Sequence, residues 1–263
     1  MSTTVTSYKN LVGGEWVDAA SGETMEVLNP ATGEVIAEVP RGSEEDVERA
    51  VAAAIKVGGY FNSGQDCTAS SRILVAEGVY DSVMSETVSA VESLKVGDPS
   101  EADDVEMGPV ISAEQQERVL GFLARAVKAK ATVVTGGGAV GDRGFFVAPT
   151  IVADVTQDAE IVQREVFGPV VTIQKFDDDA QAIEWANGVR YGLAASIWTR
   201  DVGRALNAAR KLQFGCVWVN DHLVPITSEM PHGGYKQSGY GKDMSIYSME
   251  EYTQLKHVAL KIG

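Results

Sequence analysis

Cysteine is scarce in this sequence, with only Cys67 and Cys216. Two thiols in 263 residues give no disulfide framework, so a reducing compartment is indicated and a cytoplasmic location is expected. Basic residues are also short, 22 Lys and Arg against 37 Asp and Glu, a formal net charge of −15. That balance argues against nucleic acid or an anionic membrane as partner. No apolar run approaches a membrane span. Residues 1–7 have neither the basic stretch nor the apolar core of a secretory signal. The three histidines, His222, His232 and His257, have no metal-ligand spacing with the cysteines, so no metal site is expected. Internal repeats and low-complexity segments are missing too.

What is present is ordinary globular composition, 44% hydrophobic and 22% charged, in a chain long enough for a sizeable core. Residues 10–18 read as a hairpin turning at Gly13-Gly14, and residues 25–39 as a second one turning at Asn29-Pro30-Ala31-Thr32-Gly33. Both leave exposed edges that call for a partner sheet. Ser43 caps a helix whose first turn is acidic (Glu44, Glu45, Asp46) and whose apolar face is Val47, Ala50, Val51, Ala54 and Ile55. Gly58-Gly59 is its first stop signal. From residue 73 onward, strands at 73–76, 132–135, 145–155, 166–176, 193–199 and 216–219 alternate with helices at 79–95, from Ser112, 177–187 and 201–212. That alternation predicts α/β with a largely parallel sheet. Ser112 and Gln115 have the spacing of a capping box. Residues 254–260 alternate like a last strand.

Gly136-Gly137-Gly138-Ala139-Val140-Gly141 satisfies the Gly-x-Gly-x-x-Gly pattern after a strand. A dinucleotide fingerprint must open a helix, and here strand-like Phe145-Phe146-Val147 follows, so a plain loop is expected. Residues 233–242 lack Walker spacing, and the Asp177-Asp178-Asp179 run reads as a helix cap rather than a metal site.

Cys67 sits in the turn Phe61-Asn62-Ser63-Gly64-Gln65-Asp66-Cys67-Thr68-Ala69-Ser70-Ser71, between the first helix and the apolar Ile73-Leu74-Val75. Backbone amides in such a turn can face an anion forming at the sulfur, which suits a nucleophile. A small buried hydrophobe is the alternative the turn leaves open.

Several blocks together resemble the aldehyde dehydrogenase superfamily. Phe61-Asn62-x-Gly64-Gln65-x-Cys67 resembles its nucleophile motif, and Glu165-x-Phe167-Gly168-Pro169-Val170 its second signature. Tyr191-Gly192-Leu193-Ala194-Ala195, Trp218-Val219-Asn220 and Gly233-Gly234-Tyr235-Lys236-x-Ser238-Gly239 resemble later blocks, and Gly14-Glu15-Trp16-Val17 the opening hairpin. Residues 65–69 and 230–243 are most similar to the aminobutyraldehyde (aminoaldehyde) dehydrogenases. The resemblance implies a catalytic domain of that type with a largely parallel sheet (55–252), an N-terminal hairpin-helix remnant of the cofactor domain (1–54) and a C-terminal oligomerisation strand (253–263). It implies NAD as cofactor, a small aldehyde as substrate, and a homo-oligomer or assembly with full-length relatives. It makes Cys67 the nucleophile, with Glu165 and Phe167 at the nicotinamide ribose and ring. His232 falls where the family places a residue lining the substrate tunnel. Asp66 stands where it would favour an amino-bearing substrate, or it simply caps the turn.

The resemblance has a gap. Members carry a Rossmann-like domain between the first helix and the nucleophile, and here Ala52-Ala53-Ala54 runs straight into Ile55-Lys56-Val57-Gly58-Gly59. The Glu-Leu-Gly-Gly-Lys block with the general base, the Pro-Trp-Asn block with an oxyanion donor, the ribose lysine and the Gly-Ser phosphate turn are all missing. An impaired dehydrogenase is therefore expected, with a cofactor-independent thiol esterase or an inactive remnant assembling with relatives as alternatives.

Overall fold

The computed structural model describes residues 5–222 and 227–263, so residues 1–4, part of the stretch read for a secretory signal, lie outside it. The chain divides into two compact units, Met1–Val155 with Val166–Lys175, and Thr156–Glu165 with Phe176–Gly263. These bounds differ from the expected breaks after residues 54 and 252, and the first helix shows why for the earlier one.

Strands β1 (Thr6–Ser7), β2 (Asn10–Val12), β3 (Glu15–Val17), β4 (Thr24–Leu28) and β5 (Val35–Pro40) come first. β2 and β3 pair antiparallel around Gly13 and Gly14, both at positive φ. β4 and β5 form the second hairpin. Its edge is met by β1, which lies parallel to β5.

Helix α1 (Glu44–Tyr60) starts at a complete capping box between Ser43 and Asp46. Asp46 also accepts a hydrogen bond from the Ala20 N–H at 2.8 Å, which ties the hairpin segment to the helix start. β6 (Arg72–Ala76) and helix α2 (Tyr80–Glu92) follow. Ser82 Oγ of α2 donates to Glu48 of α1 at 2.7 Å. Further along α1, Ile55 and Tyr60 enter a core with Val75, Val83, Val91, Met107, Ile151, Val171 and Ile173. Each such aliphatic side chain contributes roughly 1.5–3 kcal/mol by leaving water. One helix thus crosses residue 54 without a break, its first half tied to α2 and its second half in the core. It also runs through Gly58-Gly59. A Cβ on Gly59 would sit 2.7 Å from Val171 Cγ2, so close packing there outweighs the weak helix propensity of glycine.

Helix α3 (Ala113–Lys128), β7 (Thr132–Thr135), β8 (Thr150–Ala153), the short α4 (Glu160–Gln163) of the second unit, and β9 (Val170–Phe176) come next. The sheet order is β6-β9-β8-β7, with β8 parallel to β9 and antiparallel to β7. The strand expected over 145–155 shortens to β8, because Pro149 has no N–H for a ladder. The second unit holds α5 (Asp179–Asn187), β10 (Tyr191–Gly192), β11 (Ala194–Ile197), α6 (Val202–Lys211), β12 (Cys216–Val219), β13 (Tyr235–Lys236) and α7 (Ser245–Glu251). Asp178 and Asp201 cap α5 and α6, which gives the acidic run its helix-cap role. β11 and β12 pair parallel, and β10 and β13 antiparallel. The class is mixed α/β with parallel pairs. Residues 254–263 are exposed and make no ladder, since alternation alone supplies no neighbouring edge. No described helix is long and apolar enough to cross a membrane.

Asp46 makes acid stability testable. Its hydrogen bonds from Ser43 and Ala20 hold its carboxyl below the ordinary value of 3.8, against the opposing effect of burial. A depressed folded pKa means that this stabilisation is complete above 3.8 and is lost as pH falls through the lower folded value. Asp46→Asn is expected to lower the melting temperature at neutral pH, with the gap to wild type closing in an acid titration below pH 3.8.

Candidate active site

The cysteine turn begins where α1 ends. Tyr60 is fully buried and its hydroxyl donates to the Thr150 carbonyl of β8 at 2.9 Å. Burial pushes the phenol well above its usual range, so it stays a donor. Replacing it by Phe should cost about 0.5–1.5 kcal/mol, the net worth of that hydrogen bond, and a urea midpoint measures this.

Three consecutive residues then turn left-handed: Asn62 (φ 50°), Ser63 (φ 58°) and Gly64 (φ 68°). For a non-glycine residue this costs of order 1–3 kcal/mol, so the surroundings must over-determine it. They do. Asn62 Nδ2 donates to the Gln65 carbonyl at 3.0 Å, and the Gln65 N–H donates to the Asn62 carbonyl at 3.1 Å. Ser63 Oγ donates to the Gly108 carbonyl at 2.8 Å. Asp66 Oδ1 next accepts from the Thr68 N–H at 2.7 Å and its hydroxyl at 2.6 Å, a side-chain-capped turn. Cys67 stands in that turn with an exposed thiol. The Ser70 N–H returns to the Gly58 carbonyl at 2.9 Å and closes the loop on α1.

The second signature abuts this turn. A Cβ on Gly64 would overlap the Gly168 carbonyl and lie 2.9 Å from Pro169 N. Phe167 takes a positive φ of 57° and leaves its ring partly exposed. Gln115 Nε2 donates to the Phe167 carbonyl at 2.6 Å, and Arg118 Nη1 donates to the Val166 carbonyl. The capping box expected at Ser112 is therefore half formed. Ser112 Oγ accepts from the Gln115 N–H, but the Gln115 amide is committed to the signature. Gln115, Arg118 and Ser63 are contributors the sequence reading missed, and only the fold brings them within reach.

Cys67, Asp66 and Phe167 belong to the first unit, and Glu165 and His232 to the second. Asp66 spends one oxygen on its own turn, which matches the capping alternative. Glu165 is exposed. His232 exchanges backbone hydrogen bonds with Asp243 at 2.9 and 2.6 Å, and its Nε2 is shielded from solvent. The other thiol, Cys216, lies in β12, where burial pushes its pKa up. The two cysteines are thus distinct: one exposed in a built turn, one half-buried in a strand. The Gly136–Gly141 stretch opens no helix. It leads to the Ala139–Val147 bridge, with the Gly137 N–H donating to Thr150 Oγ1 at 2.9 Å. Among the described residues no cluster of three His, Cys, Asp or Glu is placed to hold a metal.

Residues 16–58 and 53–258 match the family model described as "Aldehyde dehydrogenase family". The chain belongs to the aldehyde dehydrogenase family. An aldehyde dehydrogenase of Emericella nidulans is 43% identical over 220 residues, covering 84% of this chain and 44% of that one. Betaine aldehyde dehydrogenase of Bacillus subtilis is 39% identical over 219 residues, 82% of this chain and 44% of that one. The NAD+ complex of a Bacillus cereus aldehyde dehydrogenase superposes with a TM-score of 0.77 at 40% identity, covering 81% of this chain and 43% of that one. This aldehyde dehydrogenase family chain therefore spans less than half the length of the relatives it matches. Its two matched stretches meet between residues 53 and 58, inside α1.

Proposed function

We propose that this chain carries the nucleophilic thiol of an NAD-dependent aldehyde dehydrogenase and, by itself, captures an aldehyde without oxidising it. The observation that carries this is the conjunction at α1. Two family stretches join within one helix, and the built cysteine turn follows it directly. On this reading an internal segment the size of a nucleotide-binding domain is absent, as an in-frame deletion between two similar helices would leave it.

The capture step needs only the thiol and a proton. Cys67 Sγ, as thiolate, bonds to the aldehyde carbon, the carbonyl π pair moves to oxygen, and that oxygen takes a proton from water. The product is a thiohemiacetal, formed reversibly. By the family pattern, Cys67 acts as nucleophile with its own N–H toward the forming oxyanion. NAD does not fit the residues described here. The glycine-rich stretch at 136–141 runs into a bridge instead of a helix N-terminus, and Phe167 and Glu165 would address only the nicotinamide end. The substrate class we assign is an aminoaldehyde, from the similarity of residues 65–69 and 230–243, with one relative named for betaine aldehyde.

Carbon NMR of a carbonyl-labelled aldehyde tests capture. A protein-bound thiohemiacetal signal is expected, and it disappears in Cys67→Ala. No signal in wild type contradicts the assignment. A second reading, assembly with full-length relatives, is favoured by the exposed Leu255, Val258, Leu260 and Ile262 in a stretch with no ladder. Co-purification with an intact relative supports it, and a lone monomer on sizing counts against it.

A further inference from the structure

Gln65 lies two residues before the nucleophile, half-buried, and its side chain makes two bonds in opposite senses. Its Oε1 accepts from the Ile111 N–H at 2.9 Å, across 46 residues of sequence. Its Nε2 donates to the Asn62 carbonyl at 3.1 Å. Only a side chain with an acceptor and a donor on one planar group fits both partners. A carboxylate would repel the Asn62 carbonyl, and a hydrocarbon would leave both partners unmet. The Asn62 carbonyl also receives the Gln65 N–H, and Asn62 Nδ2 returns to the Gln65 carbonyl. The amide therefore locks the left-handed entry of the turn at Asn62 and docks the turn onto the 108–111 segment. Ser63 Oγ reaches that same segment through the Gly108 carbonyl. Asp66 and Thr68 fix the far side of the turn among themselves. Of these two side chains that reach residues 108–111, Ser63 and Gln65, Gln65 lies nearer the thiol along the chain.

We propose that Gln65 is a positioning residue for Cys67: its amide holds the cysteine turn against residues 108–111, so that the oxygen of a captured aldehyde forms where backbone donors can meet it. This rests on the assignment of Cys67 as the aldehyde-capturing thiol. A tether of this kind matters most for a reaction in which both sulfur and the new oxygen must be placed. It matters least for simple displacement at an exposed sulfur.

The test compares two reactions of the same thiol on the full chain. One is the thiohemiacetal equilibrium with a carbonyl-labelled aldehyde. The other is alkylation by iodoacetamide, read at the Cys67 peptide with the Cys216 peptide as internal reference. In Gln65→Met the adduct should weaken by about tenfold or more, while alkylation at Cys67 stays within about threefold of wild type. If Gln65→Met does not fold, Gln65→Glu carries the same test, since it keeps the acceptor for Ile111 and sets a carboxylate against the Asn62 carbonyl. An unchanged adduct, or adduct and alkylation falling together, overturns the positioning role. A wild-type chain that forms no adduct overturns the assignment of Cys67 itself, and the proposal with it.

Discussion

Gly64→Ala is expected to abolish aldehyde capture and to cost about 3 kcal/mol or more of stability in the first unit. Two independent penalties add. The backbone at Gly64 has φ 68°, where a Cβ costs roughly 1–2 kcal/mol through contact with its own chain. The new methyl would also overlap the Gly168 carbonyl and crowd Pro169 N at 2.9 Å. Neither neighbour is a flexible side-chain end. Gly168 cannot retreat easily, because a Cβ there would already sit 2.5 Å from Val119 Cγ2, a mark of how closely α3 packs on it. The strain is relieved only by parting the cysteine turn from the second signature. Hydrogen exchange should show amide protection in α1 falling by at least about 100-fold. Gly138→Ala is the control: it has no positive φ and no atom within 4 Å of the added methyl, and it should be nearly silent. Equal protection in both variants would contradict the packing described at Gly64.

Local chemistry made much of this fold readable. Ser43 with its acidic first turn, the Gly13-Gly14 hairpin and the Asp178 and Asp201 caps all act within a few residues, and the structure forms each of them. The 136–141 loop was legible for the same reason, since the strand-like residues after it exclude a helix N-terminus. Where tertiary contacts decide, the sequence was silent. Gly58-Gly59 signals a helix end, yet α1 passes through because Val171 leaves no room for a side chain. Ser112 and Gln115 have capping-box spacing, but Phe167, 52 residues away, takes the Gln115 amide. Residues 254–260 alternate like a strand and find no edge in a single chain. At the site, Cys67 and its motif could be recognised. The left-handed run from Asn62 to Gly64 could not, because part of what sustains it lies far along the chain, at Gly108 against Ser63 and at Gly168 against Gly64.

NADH production from an aldehyde should be lower than in a full-length relative by about 10⁴-fold or more. On the proposed reading, the oxyanion donor and the general base whose motifs the sequence does not carry account for roughly 10²–10³ in rate and for another 10²–10⁴ or so. On the same reading, a glycine-rich 136–141 stretch that leads to a bridge and not to a helix N-terminus gives the pyrophosphate no seat there, which lowers turnover further. A thermal shift with NAD is accordingly expected to be flat. Cys67→Ala should then leave the residual rate unchanged, whereas in a working enzyme it would remove the rate entirely.

Carbon NMR of carbonyl-labelled 4-aminobutyraldehyde, mixed with the purified chain and NAD, separates capture from oxidation. A thiohemiacetal signal that depends on Cys67 is expected, with no carboxylate over time. Labelled carboxylate accumulating together with NADH, and vanishing in Cys67→Ala, would contradict it.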